Sequence, residues 1–218
     1  LFRTPRSAPT RAHPGAASTL KTAAVTVGVL AAAMVVLQLV NAMTGMWLTQ
    51  HLGITPRNLD GLWGVVFAPL LHGSWSHLWA NLALVLVLGF LVMLGGARQF
   101  VAVTATVWII SGLGVWLTSA NGTVTIGASV LVFGWLAYLV LRGFLARNAW
   151  QIVLGIVLLA VWGSIFWTGI AQAAFSPGPV SWQGHLFGAI GGGVAAVLVA
   201  RADRAPGAIT QMWFKGVH

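Results

Sequence analysis

Six stretches of this chain are apolar for long enough to cross a bilayer. A membrane-crossing helix needs about 20 predominantly apolar residues, and the candidates run roughly over residues 22–48, 78–95, 100–119, 127–141, 150–170 and 182–200. The fourth is short and lengthens only through 124–126 and 142–145. With 6% charged residues in 218, against roughly a quarter in a soluble domain, the chain cannot build a water-facing surface, so lipid must be its main solvent. The predicted fold is an all-α polytopic membrane protein, a bundle of six transmembrane helices.

Residues 1–21 are rich in Pro, Ala, Ser, Thr and Arg without an apolar period, and read as a flexible basic N-terminal tail. Residues 22–200 are then the membrane domain, and 201–218 a basic C-terminal tail. The first span has basic residues before it and small residues at Ala31, Ala32 and Ala33, as a signal peptide would. Its apolar run exceeds the usual 7–15 residues, so it is expected to be retained.

Orientation follows from the basic residues. With the N-terminus inside, the inner segments hold Arg3, Arg6, Arg11, Lys21, Arg98, Arg142, Arg147, Arg201, Arg204 and Lys215, and the outer segments hold Arg57 alone. Ten against one places both termini in the cytoplasm, in a bacterial plasma membrane, and supports an even number of spans. The same distribution accounts for the net charge of +9: the positive residues punctuate apolar runs and form no nucleic-acid face. The longest outer loop, 49–76, mixes apolar residues with Trp63 and Trp75, which suits a segment lying in the interface. No internal repeat supports a transporter of duplicated halves.

The even-numbered spans enter from outside, so their first turns share one depth. The second opens with His72-Gly-Ser-Trp-Ser-His77-Leu-Trp-Ala-Asn81, the fourth with Gly127-Ala-Ser129-Val130, and the sixth with Trp182-Gln-Gly-His185-Leu-Phe-Gly188. At about 1.5 Å per residue, Ser129 and His185 lie roughly 5–10 Å below the boundary. Taken singly, each has a plainer reading. A serine in a membrane helix bonds back to its own helix or packs as a small residue, and a lone His or Asn joins helices. Gly188 and Gly192 form a GxxxG that by itself means close packing. Together they read differently, because His185, Gly188 and Gly192 share one face and would let imidazole reach the Ser129 hydroxyl.

These residues resemble the rhomboid intramembrane serine proteases. His72, His77 and Asn81 match HxxxxHxxxN, Gly127 to Ser129 matches GxS, and His185 with Gly188 and Gly192 matches HxxGxxxG. Trp63 matches the tryptophan of the family's first-loop WR element. The resemblance implies a six-helix core, cleavage of single-pass transmembrane proteins near the outer ends of their helices, and no metal or organic cofactor. Three positions depart from it. Val130 stands where glycine normally follows the nucleophile, and its β-branched side chain is expected to crowd the backbone approach there. Gly64 replaces the arginine of the WR element, and Phe133 replaces the tyrosine that stacks on the base in several relatives.

A serine hydroxyl needs a base within hydrogen-bond reach, and His185 is the histidine of the sixth span. The acids number two, Asp60 in the outer loop and Asp203 at the inner end, so the expected site is a Ser129–His185 dyad without a carboxylate. Packing, against Phe133, must orient the ring. Oxyanion donors are the Ser129 N–H, the His77 imidazole and the Asn81 amide, while His72 reads as structural. A polar cavity lined by Ser74, Ser76, His77 and Asn81 should supply water. Two other readings compete: a rhomboid-like pseudoprotease acting as a binding or quality-control module, and a metal or ion site of His72, His77 and His185. The second suffers from a five-residue spacing that sets His72 and His77 about 140° apart on a helix. Partners are thus single-pass protein substrates and the bilayer, with no nucleic acid; no oligomeric state follows.

Overall fold

The structure, a computed structural model, describes residues 16–204 apart from 177 and 179. Within them the chain is an all-α bundle of five straight spans and one broken one. The first span is Ala16–Met43, the second Trp75–Met93, the third Ala97–Thr118, the fourth Ser129–Ala146 and the sixth Trp182–Arg204. The fifth comprises Ala149–Trp162 and Ser164–Phe175, bent by 55° where they meet. The expected continuous helix over 150–170 is therefore corrected to a kinked one, with the break at Gly163 and a π-helical stretch over Trp167–Gln172. Hydropathy cannot sense such a bend, since the apolar character continues on both sides of it.

Two tail boundaries also move. Helix begins at Ala16, ahead of the expected tail boundary at 21, because Ala16 and Ala17 are good helix formers and extend the span outward. The sixth helix runs on through Arg201 to Arg204, held by a bond from Arg204 to the Leu145 carbonyl and by the Arg142–Asp203 ion pair. The rest of both tails lies outside the described residues.

The fourth span is the axle of the bundle. Every residue from Val130 to Leu139 is buried, as a helix apolar on all sides must be. The first span, by contrast, exposes Val25, Val29, Val36 and Val40 along its length, a surface suited to lipid. Glycines bring the sixth span against the fourth. A Cβ on Gly188 would run into the Val130 carbonyl, and one on Gly192 into that of Gly134. Gly191 also comes close to the third span, where a Cβ on it would stand 2.8 Å from Val107 Cα. Dispersion between closely approaching backbones replaces the hydrophobic drive that is missing in lipid.

The 49–76 loop folds into a short helix, Trp47–Leu52, and a second apolar one over Asp60–Leu70. Trp63 is 63% exposed and Val66 beside it is exposed too, so the segment turns an apolar face outward, as an interfacial element does. Its inner side is tied down by the Trp108 indole, which donates to the Val65 carbonyl at 2.8 Å. Gly64 fits so closely on Gly53 and Ile54 that no side chain has room there. The basic residue of this loop that does bind backbone is Arg57, whose guanidinium donates to the carbonyls of Leu117 and Ser119 at the end of the third span.

Candidate active site

The fourth span starts at Ser129 itself, and the turn before it is held from three directions. Thr125 pairs with Ile54 through two backbone bonds of 3.0 Å, the Gly127 N–H donates to the Ala68 carbonyl at 2.9 Å, and the Ala128 N–H donates to His72 Nε2 at 3.4 Å. Gly127 adopts φ +117, a conformation open to glycine and strained for other residues. His72 precedes the second helix, which Ser74 caps by accepting from the His77 N–H at 3.1 Å. Fully buried, and close to the His77 ring, the His72 imidazole has its pKa lowered from 6.5 to about 4, burial being the larger cause. It is therefore neutral at pH 7, with the Nε2 lone pair free to accept. The expected structural role for His72, bonding the first loop or its own backbone, is corrected: its Nε2 instead accepts from the Ala128 N–H, in the turn just before Ser129.

His185 Nε2 lies 2.9 Å from Ser129 Oγ. The Phe133 ring stacks on the imidazole with centroids 4.1 Å apart and planes within 4°. The His185 Nδ1 atom lies 2.9 Å from the carbonyl oxygen of Gly169, in the π-helical part of the fifth span. Nothing at the sequence level marked Gly169 beyond a lone glycine in an apolar run. His185 is 8% exposed, so the pair is shielded yet opens onto a cavity.

Val130 does not crowd the turn. Its Cγ1 lies 3.2 Å from where a Cβ on Gly184 would stand, so its bulk fills a notch on the sixth span next to His185 and the Val130 backbone keeps its approach to Gly188. The missing glycine on the fourth span is matched by one on the sixth.

The side-chain position of Gly127 faces His77, whose Nε2 is 2.9 Å from where a Cβ would stand, and Ser129 Oγ, 3.8 Å from it. Asn81 donates to the His77 carbonyl at 3.0 Å, and its amide keeps a second hydrogen, since an NH₂ carries two. Both residues line a cavity of about 1020 Å³ that also takes in Ser74, Ser129, Phe133 and His185. Two corrections apply to the expected cavity. Its wall is mainly apolar, with Leu84, Val132 and Ile165 among the lining residues, and Ser76 does not line it, being bonded to Ser74 at 2.9 Å. The His72 and His77 rings meet edge to face with centroids 5.0 Å apart, and among the described residues no group of His, Cys, Asp or Glu side chains is placed to hold a metal ion.

Residues 59–202 match the Rhomboid domain, and the chain belongs to the Rhomboid family. It is 45% identical over 192 residues to an uncharacterized protein of Mycobacterium tuberculosis, covering 86% of this chain and 79% of that one. An uncharacterized protein of Mycobacterium bovis is similar to the same extent. One of Mycobacterium leprae is 42% identical over 185 residues, covering 83% and 72%.

Proposed function

We propose that the chain is an intramembrane serine endopeptidase that cleaves single-pass membrane proteins near the membrane surface. The observation that carries this reading is the 2.9 Å approach of His185 Nε2 to Ser129 Oγ, under a stacked Phe133 and beside a cavity large enough for an extended peptide segment.

In this reading His185 takes the Ser129 proton at Nε2 as Oγ attacks the scissile carbonyl. The oxyanion develops in the space beside Gly127, facing the His77 imidazole, the Ser129 N–H and the remaining Asn81 hydrogen. Each such donor is worth about 10²–10³ in rate. The imidazolium then gives its proton to the leaving amine, and water enters the cavity to hydrolyse the acyl-enzyme. A dyad without a carboxylate suits the medium, because an ionised Asp at mid-bilayer costs about 2.5–3.5 kcal/mol. The substrate helix must unwind locally, since its amides are already paired.

Cleavage of a single-pass protein by the wild type, abolished in Ser129→Ala and mapped by mass spectrometry of the products, tests this. Fluorophosphonate labelling in detergent separates it from a non-catalytic binding module. Labelling lost in Ser129→Ala supports the protease, and wild-type protein that neither labels nor cleaves overturns it.

A further inference from the structure

His185 engages the protein through both ring nitrogens, Nε2 toward Ser129 Oγ and Nδ1 toward the Gly169 carbonyl oxygen. For Nε2 to accept the serine proton, the neutral ring must carry its own proton on Nδ1. The atom 2.9 Å from Nδ1 is the Gly169 carbonyl oxygen, which can only accept. It therefore favours the competent tautomer and disfavours the one in which Nε2–H points uselessly at the hydroxyl. The Phe133 stack cannot make that choice. A ring lying face to face on another is held in its plane, but either nitrogen can still carry the proton. An in-plane acceptor fixes the rotation of the ring and the position of its proton together.

Resting on the protease reading, we infer that the peptide carbonyl of Gly169 is the positioning group of the base, standing where a carboxylate side chain would otherwise be, and that the kinked fifth span delivers it. Three features of the segment fit the role. A carbonyl in a regular α-helix points along the axis toward the N–H four residues on, whereas the wider π-helical turn at Trp167–Gln172 lets it accept from the side. Residue 169 must be glycine, because a Cβ would collide with Phe133 Cζ and stand 2.9 Å from His185 Nδ1. The span from Ser164 to Phe175 contains no buried residue, and Trp167 and Phe175 are 68% and 86% exposed. The acceptor thus rides on a wall of the cavity that holds no fully buried side chain and to which Ile165, Ala173 and Ala174 also contribute. The base is competent while that wall is seated against Phe133, and loses its tautomer when the wall moves out.

The test weakens the acceptor without adding volume. Replacing Ile170 by its α-hydroxy analogue turns the Gly169–Ile170 amide into an ester, whose carbonyl is a poorer acceptor. The same exchange at Ala171 is the control, and Gly169→Ala displaces the wall sterically. The readouts are the ¹⁵N signals of the His185 ring, which report the tautomer, and the cleavage kinetics. Wild type and control should show His185 protonated at Nδ1. The ester at 170 and Gly169→Ala should populate the Nε2-protonated form and lower kcat about 10- to 100-fold, less than loss of the base itself, with KM changed by less than about twofold. Fluorophosphonate labelling of Ser129 should slow in parallel yet still reach completion, which shows that the fold survives. A wild-type tautomer and kcat in both the ester and Gly169→Ala would overturn the inference. If the wild type cleaves nothing, the protease reading fails separately, and the tautomer still reports on the carbonyl.

Discussion

A methyl group on residue 127 would stand 2.9 Å from His77 Nε2 and 3.8 Å from Ser129 Oγ, in the space assigned to the oxyanion, on a backbone at φ +117. Gly127→Ala should therefore lower kcat by about 10²–10³ and destabilise the protein by about 1–2 kcal/mol through backbone strain. Cleavage kinetics and thermal unfolding in detergent read the two effects separately. His72 makes a pH-dependent prediction. Its folded pKa of about 4 lies below the ordinary 6.5, so between those values the unfolded chain binds more protons than the folded one. Its contribution is complete above pH 6.5 and is lost as pH falls toward 4, a total of about 3 kcal/mol. Unfolding midpoints measured across that window should slope more steeply for the wild type than for His72→Asn, which keeps an acceptor for Ala128 and does not titrate.

At the scale of elements, the glycine face of the sixth span is the feature most sensitive to added bulk. Gly192→Ala pushes a methyl into the Gly134 carbonyl, two turns from His185, and should cost about 1–3 kcal/mol of stability while slowing cleavage by widening the gap between the Ser129 and His185 helices. Arg57 closes the end of the third span with two bonds to its last carbonyls and a third, of 3.1 Å, to Asn121 Oδ1. Arg57→Ala should lower the unfolding temperature, at a cost of about 1–3 kcal/mol for the charge-assisted bonds it removes. These elements also show what was readable beforehand. The six apolar runs and the Gly188–Gly192 face were legible because period and hydropathy encode them. The kink at Gly163, the Gly169 carbonyl and the Gly184 notch that receives Val130 were not. Each arises where backbone geometry or a contact between distant segments decides the outcome, and residue type carries little trace of either.

For the molecule as a whole, the proposed orientation rests on charge placement. Since the chain has no cysteine, single cysteines introduced at Asn121 and Asn148, on opposite ends of the fourth span, report it without background. A membrane-impermeant thiol reagent should label Asn121→Cys in intact cells and Asn148→Cys only after permeabilisation; the reverse pattern would invert the topology. One further consequence concerns how such a molecule tolerates mutation. The group that faces His185 Nδ1 belongs to the main chain and is encoded by no codon of its own. A saturation-substitution map of all 218 positions would register Ser129 and His185 as intolerant of any change, but Gly169 only as intolerant of size. Its third polar partner would stay hidden from side-chain genetics, and gradual drift elsewhere in the fifth span could retune the base without altering either member of the dyad.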